Sequence, residues 1–169
     1  MRSSVRTILL SALCIAFAST ALAQDQTQPP PSEHPILTLH ATGSQIYVCQ
    51  RVDSAFQWVF FAPTARLFND ANTEVATHGD GPIWNYQDGS SIQGIVQQKS
   101  PSPDAGSIPW LLLKAANHQR TGILTTVDFI RRSDTHGGIA PTTGCDADHQ
   151  GDFTRSPYTA VYTFYSARP

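Results

Sequence analysis

The sequence predicts a single all-β domain, an antiparallel sandwich or barrel of about ten short strands. Two observations lead to this fold class. From Ile36 onward the chain is made of short apolar or alternating runs rich in Val, Ile, Thr, Tyr, Phe and Trp, broken about every eight to twelve residues by Gly, Pro, Asn or Asp. The competing helical interpretations, over 64–76 and 111–119, lack a capped amphipathic pattern over three turns.

The predicted strands follow one another along the chain. They cover residues 36–40, 45–51, 56–61, 65–68, 74–78, 83–87, 91–98, 110–115, 122–131 and 158–166. In the last of them Tyr158, Ala160, Tyr162 and Phe164 alternate with smaller residues and share one strongly apolar face. Residues 107–114 are too apolar for an exposed strand, so we expect them to be buried on both faces.

The N-terminus has the pattern of a secretory signal peptide. Basic residues precede an apolar stretch that ends in Ala21-Leu22-Ala23, a small-residue cleavage site, and this predicts removal of residues 1–23. Residues 24–35 contain four prolines with Gln, Ser and Thr, which predicts a disordered arm before the domain at 36–169. We therefore expect a secreted or periplasmic protein. Subtracting 23 residues from 169 leaves 146, enough for one domain with its own core.

The cysteine count predicts one disulfide. Cleavage near Ala23 removes Cys14 and leaves Cys49 and Cys145, an even pair in an oxidising compartment. The two positions are 96 residues apart, and closing a loop of that order stabilises a fold by about 4 to 5 kcal/mol in the chain-entropy model. A redox-active pair would need the Cys-x-x-Cys spacing, which is missing here.

Composition argues against several classes of partner. The chain has 11 basic and 13 acidic residues, a net charge of −2, and no basic run longer than Arg131-Arg132, so nucleic acid is not an expected partner. No segment after the signal approaches the roughly 20 apolar residues of a membrane span. Gly79-Asp80-Gly81 lacks the third glycine of a dinucleotide fingerprint, and no cofactor is expected. The oligomeric state is left open.

The densest polar and aromatic cluster lies within residues 77–90. Its candidate ligand-binding residues are His78, Trp84, Tyr86 and Asp88, because flat rings beside a few polar groups suit a small molecule or a carbohydrate. A simpler interpretation makes Trp84 a core residue and Asp88-Gly89 a hairpin turn.

One acidic loop resembles part of a calcium site. Asp146, Asp148 and Asp152 alternate as the ligands of a calcium loop do, with Gly151 between the last two. Pro157 stands where the closing glutamate would be, so the pattern is a weak calcium candidate and no metal is assigned.

No catalytic residue can be assigned from the sequence, so three functions are carried forward. The leading one is a non-catalytic ligand-binding module of the cell envelope or extracellular space. The first alternative is a hydrolase acting on an envelope or extracellular polymer, with His78 and carboxylates such as Asp80, Asp88 and Asp128 brought together by folding. The second alternative is a structural or adhesion module, which would present an apolar patch or a free sheet edge.

An ordered series of short motifs resembles a known family. The motifs are Tyr47-Val48-Cys49, His78 with Gly81-Pro82 and Trp84, Asp88-Gly89-Ser90 with Gly94, Ile108-Pro109-Trp110-Leu111-Leu112, the glycine loop of 132–141, Gly144-Cys145 and Tyr162-Thr163-Phe164-Tyr165. Together they resemble an uncharacterised family of exported proteins catalogued as domain of unknown function 3455. The resemblance implies one domain over about 36–165 and supports the cysteine pairing. It supplies no catalytic residues.

Overall fold

The computed structural model describes residues 25–168, and this part of the chain is all-β. Eight antiparallel strands form one sheet, and the described residues contain no α-helix, only two short 3-10 helices at Ile123–Thr126 and Ala147–His149. The predicted signal peptide, residues 1–23, lies outside the described residues.

The strands pair in chain order. They are β1 (His34–Val52), β2 (Ala55–Phe68), β3 (Glu74–Gly79), β4 (Ile83–Tyr86), β5 (Ser91–Ser100), β6 (Trp110–Gln119), β7 (Phe129–Gly137) and β8 (Phe153–Ser166). Each strand pairs with the next, and β8 returns to pair with β1 over most of its length, so the sheet closes into a barrel.

The structure has eight strands where about ten were expected, because two predicted breaks do not occur. Gly43 continues β1, and a Cβ at that position would collide with the backbone of Thr64, so glycine permits the close approach of β1 and β2. In β2 the chain runs through Pro63, where only one side of the strand is paired, since β3 joins from Ala65 onward. Phe61 is an extra residue between the partners of Ile46 and Tyr47, a β-bulge.

The predicted strand 122–131 is correct only in its last three residues, 129–131. Residues Ile123–Thr126 form a 3-10 helix, and β7 begins at Phe129. The carboxylate of Asp88 accepts a hydrogen bond from the Ile123 N–H at 2.8 Å, which holds the chain in this turn. Leu124 and Val127 then fall inside the barrel, each 1% exposed, and close one end of it.

The two ends of the barrel differ. At the end closed by Leu124 and Val127 the interior is filled by core side chains such as Leu39, Ile92 and Phe164. At the opposite end the wall is uneven, because β1, β2 and β8 extend beyond the short strands β3 and β4. This second end is open, and it holds the cavity described below.

The predicted disulfide is confirmed. Cys49 and Cys145 are bonded, with their Cα atoms 5.3 Å apart. The bond ties the extended part of β1 to the loop 138–152, and the backbone of Cys49 also exchanges hydrogen bonds with Gly151 and Asp152 at 2.9 Å. The Tyr47 hydroxyl donates to the carbonyl oxygen of Gly138 at 2.7 Å, so the loop is held to this strand at several points.

The N-terminal arm, expected to be disordered, contacts the outside of the barrel from Asp25 onward. Its Thr27 is fully buried, and Asp25 pairs with Arg131 of β7 at 2.8 Å. Arg131 stands opposite Leu112 of β6, so the arm covers the outer wall at a point where an apolar residue faces outward. Leu112 and its inward-facing neighbour Leu113 are both buried, as predicted for this segment.

Candidate ligand-binding site

The open end of the barrel contains a cavity of about 550 Å³. Its high wall comes from β1 and β2, and its low wall is the β3–β4 turn with Asp80, Gly81 and Pro82. Most of its lining is apolar. The apolar lining residues other than the aromatic floor are Phe60, Phe61, Pro63, Pro82, Val96, Ile108, Pro109, Leu111 and Leu113. A concave apolar space with a few polar groups is the usual form of a small-molecule site.

Stacked aromatic rings form the floor of the cavity. His78 and Trp84 are opposite each other on β3 and β4, and their rings lie parallel with centroids 4.1 Å apart. Tyr162 of β8 meets both rings edge-on, at 5.3 and 5.5 Å. Gly94 on β5 leaves the space for the indole, because a Cβ there would lie 2.8 Å from a Trp84 ring carbon. The rings and this glycine together separate the cavity from the filled half of the barrel.

His78 is neutral at ordinary pH. Burial lowers its pKa to about 4, with the nearby charge of Arg132 acting in the same direction, against a hydrogen bond from the ring to the backbone carbonyl oxygen of Ile83. That contact joins Nδ1 to the Ile83 oxygen at 3.0 Å. Because a carbonyl oxygen only accepts, Nδ1 carries the proton and Nε2 is left as an acceptor.

Arg132 is a buried cation in the cavity wall. It lies opposite Leu111 and Tyr162 on the neighbouring strands and is 8% exposed. Its Nε and Nη2 both donate to the backbone carbonyl oxygen of Pro109, at 3.2 and 2.8 Å. No carboxylate of residues 25–168 forms an ion pair with it.

Two further side chains in the cavity wall have buried donors without partners. They are the indole Nε1 of Trp84 and the amide Nε2 of Gln45. The acidic residue in the lining, Asp80, is exposed at the low wall, where its Oδ1 accepts the N–H of Gly81 at 2.8 Å. The cavity lining therefore has several donors and two cationic side chains without an ion pair among the described residues, the buried Arg132 and the exposed Lys99.

The structure places the four candidate ligand-binding residues in different surroundings. His78 and Trp84 lie together in the cavity floor. Tyr86 packs against the core and does not line the cavity. Asp88 lies at the closed end, where it accepts hydrogen bonds from the Ser90 N–H, the Ser90 hydroxyl and the Ile123 N–H. Burial acts to raise the pKa of Asp88, but these hydrogen bonds outweigh it and lower the pKa.

In the loop considered as a calcium site, the carboxylate of Asp146 is engaged in hydrogen bonds with other residues of the same loop. Asp146 Oδ1 accepts from the N–H of Asp148 at 3.0 Å and lies 2.7 Å from the ring Nδ1 of His149. Within residues 25–168 no group of three or more His, Cys, Asp or Glu side chains is arranged to hold a metal ion, and Asp152 joins no such group.

Sequence reasoning passed over Gln45, Arg132 and Tyr162 as site residues. Arg132 could have been identified from its position in the alternating pattern of β7. It follows Ile130, which is fully buried, by two residues on the same strand. Successive side chains of a strand alternate between faces, so Arg132 shares the inner face with Ile130. An arginine in phase with a core residue is the pattern that marks a buried charge.

The family model described as protein of unknown function (DUF3455) matches residues 29–166. The chain belongs to this family. The match confirms the resemblance seen in the motifs and covers all eight strands of the DUF3455 barrel. No curated protein and no solved structure matches the chain. Over the described range, no helix has the length and apolarity needed to cross a membrane.

Proposed function

We propose that this protein is an exported, non-catalytic binding module of the cell envelope or extracellular space that holds a small molecule in its barrel. The observation that carries the proposal is the cavity: about 550 Å³, closed below by aromatic rings, open above and mostly apolar. This volume falls in the range of about 300 to 1,000 Å³ that is typical of small-molecule sites.

Export is part of the proposal and rests on two features of the chain. The first is the signal-peptide pattern of residues 1–23, which ends at Ala23. The second is the disulfide between Cys49 and Cys145, since such bonds persist in oxidising compartments.

The floor favours a small apolar molecule over a carbohydrate chain. Sugars bind by stacking on an exposed aromatic face, whereas Trp84 is 1% exposed and its face is stacked on His78. A ligand would meet the edges of these rings and the apolar side walls instead. The opening at one end also suits a compact molecule that enters head first.

The geometry gives less support to a hydrolase. His78 lies in the cavity, but the three carboxylates considered as its partners are dispersed. Asp80 stands at the open end, while Asp88 and Asp128 bond to backbone N–H groups of Ile123 and Ala167 at the closed end. General acid–base chemistry needs two titratable groups within reach of one bond. Of these carboxylates only Asp80 lines the cavity with His78, and both side chains make their hydrogen bonds to backbone groups rather than to each other.

A thermal-shift screen with paired rim variants tests the proposal. The purified, oxidised protein without its signal peptide would be screened against apolar alcohols and acids, lipids, sugars, cell-wall fragments and divalent ions, because a ligand of the native state raises its melting temperature. Val96 and Ile95 are adjacent on β5 and about equally exposed, at 51% and 53%, but only Val96 lines the cavity. Val96→Trp narrows the opening, and Ile95→Trp is the matched control.

We expect a saturable shift of several degrees for at least one compound with an apolar body, with Val96→Trp reducing it strongly and Ile95→Trp leaving it unchanged. A shift that persists in Val96→Trp would place binding outside the cavity. The absence of any shift across the panel would contradict the binding function itself.

A further inference from the structure

Arg132 presents a charge that the described chain does not neutralise. Arg132 is more than nine-tenths buried as a residue, and the hydrogen bonds of its guanidinium go to a neutral acceptor, the Pro109 carbonyl oxygen. That oxygen satisfies two N–H groups but not the positive charge. Burying a charge without a counter-ion is strongly unfavourable, so buried arginines are normally paired with a carboxylate or a bound anion.

The surroundings of Arg132 contain no internal substitute for that anion. Oδ1 of Asp80 accepts a hydrogen bond from the N–H of the neighbouring Gly81, and the Asp80 side chain is exposed at the low wall. Tyr47 donates its hydroxyl hydrogen to the Gly138 carbonyl oxygen. His78 is neutral, and the charge of Arg132 helps to keep it so by lowering its pKa. The nearby groups are therefore neutral or already bonded.

The lining side-chain atoms that are buried without a hydrogen-bond partner are donors. The lining side chains with buried, unpartnered atoms are Gln45 and Trp84, and in both the atom is a nitrogen that can only donate. With the free N–H groups of Arg132 they add donors to a lining whose side-chain acceptors include Nε2 of His78 and the exposed carboxylate of Asp80. A ligand complements these donors when it brings oxygen acceptors and a negative charge.

We propose that the ligand is an amphipathic organic acid whose carboxylate binds Arg132, with its apolar body directed toward the opening. This rests on the proposed binding function and adds the head group and the orientation. Phe60, Phe61 and Val96 are each about half exposed at the opening, and they supply apolar surface for the body. The planar fork of a guanidinium matches the two oxygens of a carboxylate.

Calorimetry with three probes of one chain length tests the head group. The probes are decanoate, 1-decanol and decyltrimethylammonium at pH 7.5, where the carboxylate is ionised. We expect decanoate to bind at least tenfold more tightly than decanol and the cation to bind weakest. A second pair, 2-naphthoate and 2-naphthol, repeats the comparison with a flat body, so the result does not depend on the shape of the tail.

Arginine variants tie the preference to one residue. Arg132→Met keeps an unbranched, flexible stem and removes the guanidinium and its charge, and we expect it to weaken decanoate binding at least tenfold while decanol binding changes less than twofold. Arg132→Lys keeps the charge without the fork and should fall between the two. Arg131→Met is the matched control. Arg131 lies on the outer face of the barrel, so we expect this variant to bind decanoate as the unmodified protein does.

The outcomes separate the two proposals. Equal binding of acid and alcohol in the unmodified protein would overturn the carboxylate assignment and leave the cavity as a site for neutral apolar molecules. Equal loss of acid and alcohol binding in Arg132→Met would make Arg132 a structural residue, which also overturns the assignment. If none of the five probes binds, the carboxylate assignment is overturned. The binding function is overturned as well, unless another compound of the wider screen gives a shift in melting temperature that Val96→Trp reduces. If Arg132→Met does not fold, Arg132→Lys decides together with the comparison of head groups in the unmodified protein, because Lys99 also lines the cavity.

Discussion

Arg131 and Arg132 are neighbours on β7, yet they meet opposite surroundings on the two faces of the barrel wall. Arg131 points outward, pairs with Asp25 at 2.8 Å and lies over the Trp110 ring, with its Cζ 5.0 Å from the ring centroid. Arg132 points inward, is buried and has only the Pro109 carbonyl oxygen as an acceptor. Two identical side chains thus differ in whether the described chain supplies a counter-ion.

The outer arginine stabilises the fold, whereas the inner arginine has the charge and hydrogen-bonding capacity to bind a ligand. On the outer face the charge of Arg131 holds the N-terminal arm against the barrel, so the interaction serves the fold. On the inner face the charge of Arg132 costs free energy that no carboxylate of the described residues recovers. Groups that weaken a fold in this way are found where binding needs them.

The largest expected effect concerns the inner face and pH. The pKa of His78 is about 4 in the folded protein, against an unperturbed value of 6.5. Between these values the unfolded chain takes up a proton that the folded protein does not, so stability falls as pH drops from 6.5 toward 4. The full difference corresponds to about 3 kcal/mol. Urea unfolding of the unmodified protein at pH 7 and pH 4.5 measures most of it.

The matched variant is His78→Phe, which keeps a ring against Trp84 and removes the titrating group. We expect this variant to lose stability at pH 7, because the hydrogen bond to the Ile83 carbonyl oxygen is gone. Its stability should depend less on pH than that of the unmodified protein between pH 7 and 4.5. Identical pH dependence in the two proteins would show that His78 is not the buried neutral group described here.

A second test compares two glycines, one inside the wall and one in open space. In Gly94→Ala the new methyl group would lie 2.8 Å from Trp84 and 2.9 Å from Leu113, and overpacking of this kind costs about 1 to 3 kcal/mol. A Cβ at Gly79 meets nothing within 4 Å. Gly79→Ala should therefore be neutral or slightly stabilising, since it restricts the unfolded chain. Equal effects in denaturant unfolding would contradict the tight fit of the Trp84 ring.

Much of the inner face could be read from alternation alone. The predicted apolar face of the last strand is buried throughout, from Tyr158 at 3% exposed to Phe164 at 0%. The disulfide followed from cysteine counting. Strand lengths were harder, because Gly43 and Pro63 usually interrupt strands, and only the pairing of β1 with β2 shows why they do not do so here.

The site was less predictable because it depends on contacts between distant residues. Asp88 lies four residues after Trp84 in sequence, yet the short strand β4 carries it to the other end of the barrel. Asp25 reaches Arg131 across a separation of 106 residues, and no composition of the arm predicts that contact. Whether Arg131 or Arg132 faces inward depends on the phase of β7, which is set by the burial of Ile130.

The smallest expected effect is the coupling on the outer face. Burial acts to raise the pKa of Asp25, but hydrogen bonds from Thr27, Gln28 and Arg131 outweigh it and lower the pKa. A double-mutant cycle with Asp25→Asn and Arg131→Met should give a coupling of about 0.5 to 1 kcal/mol at pH 7, since the side chains are only 26% and 14% exposed. Because the folded pKa is lowered, this stabilisation is lost as pH falls below the ordinary aspartate range.

The same cycle on the inner face provides the control, with Asp80→Asn and Arg132→Met. Asp80 is the acidic residue that lines the cavity, and it makes no ion pair with Arg132. We expect a coupling near zero there, while the outer pair retains its coupling in the same buffer. A coupling between Asp80 and Arg132 as large as that of the outer pair would mean that the cavity neutralises its own arginine, and the contrast between the two faces of β7 would disappear.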